Sequence, residues 1–201
     1  MYKLIVFSLL LLETCNCFLT SIFRLENRIK LFTKTEDNVQ KLNNLCTEIN
    51  GYRDKFSYTN EKLSGAWKVI NTKEEFVTIH SYQLFDYKNK SSRDFVKYSN
   101  GTMIENKYSI ESLTGDVMIF SGEERIMTFM NGTRVINNID DNFERQLFYS
   151  SPSLRIDRKT DGNFIIFEPT CSFDFKVDDV QHIEFDTSAL NWNTFFNLYL
   201  I

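Results

Sequence analysis

The chain is expected to be all-β, an antiparallel up-and-down β-barrel of about eight strands preceded by one N-terminal α-helix. Three observations predict this. From Gly65 onward apolar and polar residues alternate at a period of two; Asn100-Gly101, Asn131-Gly132 and Asp161-Gly162 stand between such runs as tight-turn dipeptides. The apolar mass is carried by aromatic and branched side chains, with 19 Phe and 9 Tyr against two Ala and two Pro, a census that favours strands over helices. The absence of helical patterns between the runs excludes a doubly wound α/β fold.

Residues 1–17 read as a secretory signal peptide: Lys3 gives the positive start, Leu4 to Leu12 the apolar run, and Cys15-Asn16-Cys17 the small residues before a cut ahead of Phe18. Residues 18–62 form an N-terminal strap and helix. The strap carries Arg24, Arg28, Lys30 and Lys34 among apolar residues and is expected to pack on the outside of the domain. The helix is expected over Glu36 to Asn50, with Thr35 as cap, Glu36 and Asp37 at its positive end, and Val39, Leu42, Leu45 and Ile49 at helical spacing. Gly51 ends it.

Residues 63–201 are the barrel with an apolar C-terminal tail. Twelve short strand-like runs lie between Gly65 and Asp186: Gly65–Ile70, Phe76–Tyr87, Asp94–Tyr98, Thr102–Ser112, Asp116–Phe120, Arg125–Met130, Thr133–Asn138, Glu144–Tyr149, Ser153–Arg158, Asn163–Glu168, Ser172–Val177 and Gln181–Asp186. Eight strands need some of these to be halves of one bent strand, and the best candidate is Phe143 to Arg158 around Ser151-Pro152, where proline interrupts a ladder. Ile104, Tyr108 and Ile110 share one face against Glu105, Lys107, Ser109 and Glu111, and Phe173, Phe175 and Val177 oppose Asp174 and Lys176. One face is then apolar and lines the lumen, while the other is wet. The tail from Ser188, with Trp192, Phe195, Phe196 and Tyr199, is expected to cover the barrel, add an edge strand or mediate self-association.

A net charge of −4 with no Lys/Arg stripe argues against a nucleic-acid partner. No catalytic constellation is apparent, and no clustered ligands suggest a metal site or a cofactor. Of the two histidines, His182 falls on the wet face and His80 sits mid-strand among apolar neighbours, where a haem-ligand role competes with a core or surface role. Acidic pairs such as Asp140-Asp141 read as turn residues. With the signal removed, Cys46 and Cys171 remain, and in an oxidising compartment they are expected to form a disulfide. Three glycosylation sequons begin at Asn89, Asn100 and Asn131.

Leu63-Ser64-Gly65-Ala66-Trp67 resembles the Gly-x-Trp motif at the first strand of lipocalins, secreted eight-stranded barrels that hold small apolar ligands, and the likeness extends over Leu63 to Asp186. Read physically, Gly65 permits a close backbone approach and Trp67 plugs a narrow barrel end with one N–H to satisfy. Thr160-Asp161 is the nearest match to the family's later turn motif. The family's arginine over the tryptophan comes from near the last barrel strand; no arginine follows Arg158 here, and Lys176 is the cation expected in its place. The Asn, Lys, Ile and Phe excess is similar to the codon bias of AT-rich genomes, so the resemblance is to an apicomplexan-type lipocalin.

The resemblance implies a non-enzymatic secreted carrier of a small apolar molecule, a lipid or sterol, with Tyr108, Phe129, Phe173 and Phe175 lining the cavity and Gly65 and Trp67 structural. Two other readings stay open. One is a haem-handling barrel using His80; the other is an interaction protein with a filled barrel that self-associates through its tail. The expected location is outside the cell or the lumen of a secretory compartment, vacuolar in a parasite.

Overall fold

The computed structural model describes residues 20–33, 39–52, 63–70, 78–114 and 116–171. The chain divides into two compact units, Met1–Lys55 and Phe56–Ile201. The signal peptide, Glu36 and Asp37, the runs Ser172–Val177 and Gln181–Asp186, His182 and the apolar tail all lie outside the described residues.

The first unit holds two helices, α1 over residues 20–33 and α2 over Val39–Asn50. The basic stretch read as a strap is therefore helical. Its buried Ile22, Leu25, Ile29 and Phe32 recur at the spacing of a helical stripe. Leu45, Cys46 and Ile49 are the buried stripe of α2, whose last turn is closed where the Gly51 and Tyr52 amides donate to the Glu48 and Ile49 carbonyls. No helix among the described residues is long and apolar enough to cross a membrane.

The second unit is one antiparallel sheet of nine strands: β1 Gly65–Val69, β2 Thr78–Asp86, β3 Ser91–Tyr98, β4 Met103–Thr114, β5 Val117–Thr128, β6 Arg134–Asn138, β7 Phe143–Ser150, β8 Arg155–Lys159 and β9 Phe164–Pro169. Eight of them close into a ring in the order β1-β2-β3-β4-β5-β7-β8-β9 and back to β1, the last seam being the Trp67↔Pro169 to Val69↔Phe167 register. β6 stands outside the ring as an extension beside β5.

The three Asx-Gly dipeptides form one repeated turn. Gly101, Gly132 and Gly162 have φ of 77°, 80° and 85°, and the preceding Asn100, Asn131 and Asp161 each accept from the amide two residues on. In Asp161 that bond, with a second from the Asn163 side chain, holds the carboxyl below its usual range.

Two strand assignments differ from the pattern reading. Asp116–Phe120 and Arg125–Met130 are parts of the single strand β5, whose irregularity opposite Lys107 and Tyr108 breaks the alternation midway. Ser151-Pro152 does not bend a strand but reverses the chain between β7 and β8: the Ser151 amide donates to the Leu154 carbonyl at 2.8 Å, and its hydroxyl accepts from the Ser153 and Leu154 amides. The bend lies instead between β6 and β7, which follow one another along β5, with Glu124 facing Asn138 and Phe120 facing Phe143.

The outer surface is not uniformly wet. Ala66, Tyr82, Leu84, Phe95, Ile156 and Ile166 point away from the lumen by register, yet all are buried. Period-two alternation reports polar against apolar; it does not report this second buried face.

Candidate functional site

Strand register assigns the lumen. Cross-strand partners point to the same side, so Trp67 and Gln83, Asp94 and Asn106, Tyr108 and Gly122, Phe120 and Phe143, Leu147 and Asp157, and Arg155 and Phe167 all face inward.

One end is sealed. Leu63, Trp67, Phe85 and Phe167 form part of a continuous buried cluster, and the Trp67 indole N–H donates to the Leu63 carbonyl at 2.9 Å. The segment that closes the floor thus also satisfies its one polar atom. Ser64 Oγ accepts from the Tyr87 amide at 2.9 Å, tying that segment to the end of β2. Gly65 has φ 145°, a conformation that L side chains rarely adopt; an added Cβ would meet nothing within 4 Å. Its requirement is backbone conformation, not the close approach read from the motif.

The cation over Trp67 is Arg155, from the penultimate ring strand β8. Its guanidinium lies 5.8 Å from the Trp67 ring, 4.9 Å from Phe85 and 4.7 Å from Phe167, and it donates to both carboxylate oxygens of Asp157 at 2.9 and 2.5 Å. Both side chains are fully buried. The expected stand-in, Lys176, lies outside the described residues. In the sequence Arg155-Ile156-Asp157-Arg158 carries the local signature of any charged strand end. Only the register, which puts Arg155 opposite Phe167, turns it inward.

Above the floor the lining is aromatic, then polar. Tyr108 meets Phe120 and Phe143 edge-on at 6.3 and 5.0 Å, and Phe120 and Phe143 stack at 4.9 Å. The Arg145 guanidinium sits 4.7 Å from the Phe143 ring and 5.2 Å from Phe120. Arg145 on β7 reaches across the lumen to Asp94 on β3 at 3.2 Å, and Asp94 also accepts from Gln83 Nε2 at 2.8 Å and Ser92 Oγ at 3.2 Å. Arg125 on β5 donates through Nε to Asn106 Oδ1 at 2.7 Å. Burial first, with Asp94 and Asp141 nearby, pushes the Tyr108 phenol up to about 12; Arg145 and Arg125 act in the opposite sense.

Exposure is graded along the lumen: the Asp94 and Arg145 side chains are 19% and 12% exposed, whereas Arg155 and Asp157 at the floor are at 0%. The base is aromatic rings packed around a buried ion pair, and further charged and amide groups lie towards the other end. A recess of about 200 Å³ on the β7–β8 face is lined by Glu144, Gln146, Arg158, Lys159, Thr160 and Gly162 and is mostly polar.

Of the residues expected to line a cavity, Tyr108 faces inward and is buried in the core cluster. Phe129 is not: it follows the end of β5 in the turn to β6 and is 41% exposed, beside Met130, Val135 and Ile136, which are also exposed. Alternation counted past the strand end carries no burial, because the turn residues leave the pleat. Phe173 and Phe175 lie outside the described residues. His80 shares the outer face with Tyr82, their rings 6.1 Å apart, so it does not point into the lumen as a haem ligand would. The structure has Cys46 and Cys171, the expected disulfide pair, as free thiols. Cys46 is buried, with its thiol pushed up to about 12 by burial, and Cys171 is exposed; the two sulfurs occupy opposite environments.

These features define the class: a closed, eight-stranded antiparallel barrel with an N-terminal helical segment and an inward polar cluster. Among solved structures it is similar to a streptavidin-like protein from Bacteroides eggerthii, at 11% identity over 68% of this chain and 96% of that one, with a TM-score of 0.39. No family model matches the chain, and no curated protein matches it. The functional reading therefore rests on the chain's own residues.

Proposed function

We propose that the chain is a secreted, non-enzymatic carrier that binds a small, largely apolar molecule in the barrel lumen. The observation that carries this reading is the gradient of the inward-facing side chains. They run from a sealed floor at Trp67 and Arg155 to the partly exposed Asp94 and Arg145. A barrel serving only as a rigid support gains nothing from charged groups inside it, since desolvating them costs free energy that an apolar filling avoids. A ligand resting on the half-buried Phe143, Val69 and Ile165 would bury roughly 300 Å² of apolar surface, worth about 7 kcal/mol before association costs, enough for micromolar affinity without any catalytic group. Export is supported by the signal-like sequence of residues 1–17.

The test is native mass spectrometry of the purified protein, then denaturation and identification of what is released. A mass excess that departs as a small molecule is expected; a bare chain that also takes up no neutral apolar dye refutes the carrier.

A second reading, self-association, is favoured by one observation. Met130, Val135 and Ile136 are exposed on the β5–β6 hairpin, and β6 has no partner on its outer edge among the described residues. It predicts a dimer by light scattering that Ile136→Lys abolishes.

A further inference from the structure

The lumen's charges do not balance, and the imbalance has a position. Arg155 is matched by Asp157, and Arg145 by Asp94. Two inward cations are left over, Lys159 at the exposed end of β8 and the partly buried Arg125: the hydrogen-bond partner of Arg125 is the neutral amide oxygen of Asn106, and no ion pair joins it to a carboxylate among the described residues. One Nε–H is engaged, while a guanidinium carries five donors, so the Nη fork remains for a planar acceptor.

Register places Arg125 on the same side as Asn106 and Asp94, three positions along β5 from Gly122, the partner of Tyr108. The Tyr108 hydroxyl feels both Arg125 and Arg145. Arg125 therefore stands on the mouth side of the Tyr108–Phe120–Phe143 rings and is partly buried. Asp141, in the linker before β7, is the other carboxylate near Tyr108, but it is exposed and makes no ion pair with Arg125 among the described residues. The chain as a whole is acidic, at −4, so attraction for an anion is local to this spot.

We infer that the ligand is an anionic amphiphile, a carboxylate on an apolar body, with its head group on Arg125 and its body on the half-buried Phe143, Val69 and Ile165 that pack over Tyr108 and Phe120. This rests on the carrier reading and narrows it. A carboxylate matches the guanidinium fork in a two-point, charge-assisted contact, whereas an alcohol takes a single neutral bond and an ammonium is repelled. A partly exposed guanidinium can make this contact while it and the head group keep some of their water, so the charge contributes to affinity rather than only to desolvation cost.

The experiment loads the full chain with the neutral dye N-phenyl-1-naphthylamine and displaces it with dodecanoate, dodecanol or dodecylammonium. Dodecanoate should compete about tenfold better than dodecanol, and dodecylammonium worst, the ratio expected of one charge-assisted contact in a partly solvated site. In Arg125→Gln the dodecanoate-to-dodecanol ratio should fall towards one, and Arg125→Lys should restore part of it; thermal melts establish that both variants fold. Equal competition by dodecanol and dodecanoate in the native protein, or a preference that survives Arg125→Gln, overturns the anionic assignment and leaves the carrier standing. Failure of the dye and all three competitors to enter overturns the carrier and the inference together.

Discussion

Replacing Arg155 by methionine should be among the most damaging single changes the barrel can suffer. The guanidinium touches three rings and holds both oxygens of Asp157, all in a region with no access to water. Methionine recovers much of the packing, so the dominant loss is electrostatic: the Asp157 carboxylate is left buried without a partner. Breaking a buried pair by removing one member costs about 3–5 kcal/mol, against a total stability of order 5–15 kcal/mol for a domain. Urea unfolding at pH 7 should show that deficit directly. Adding Asp157→Leu should return the barrel to within about 1 kcal/mol of the native protein, because an apolar pair of similar volume often replaces a buried ion pair without loss. The reasoning is refuted if Arg155→Met costs under about 1 kcal/mol at pH 7, or if the double variant is as unstable as the single one.

Three other outcomes follow from the same geometry. Tyr108 should stay protonated until about pH 12, so the 295 nm titration of the native protein minus that of Tyr108→Phe should step near 12; stability tied to the neutral phenol is present below its unfolded value near 10 and lost through 12, and a step near 10 would contradict its burial. Phe120→Ala, which empties a fully buried stack against Phe143, should cost about 3–5 kcal/mol in urea unfolding, whereas Phe129→Ala at an exposed turn should stay within about 0.5; comparable losses would mean that Phe129 packs inside after all. Brief iodoacetamide treatment at pH 8 followed by peptide mapping should label Cys171 and spare Cys46 until the chain is unfolded; recovery of a Cys46–Cys171 linked peptide would instead establish the disulfide.

The barrel class was legible because its signals are local. An Asx-Gly turn needs only two adjacent residues, and each of the three forms as its sequence indicates. Alternation along Ile104, Tyr108 and Ile110 needs only one strand, and Tyr108 lies on the inner face it predicts. Phe129 is exposed because alternation ends at a turn whose first residue no pattern marks. The helix over residues 20–33 is hidden in the sequence because its basic residues obscure the stripe of Ile22, Leu25, Ile29 and Phe32.

The sequence by itself determined the antiparallel strands, their hairpins and the tryptophan at the floor, since each depends on neighbours a few residues apart. Only the tertiary structure decided which charges are inside. Asp94 and Arg145 are 51 residues apart in the chain and meet because ring closure sets β3 across from β7. Arg155 faces Trp67 because β8 and β9 pair in one register, and Arg125 lacks a carboxylate because the strand opposite it presents Asn106. A charged residue in a strand has the same local signature whether it points to water or into the barrel. A register shift of one residue exchanges the two, and register is settled by the closure of the whole sheet.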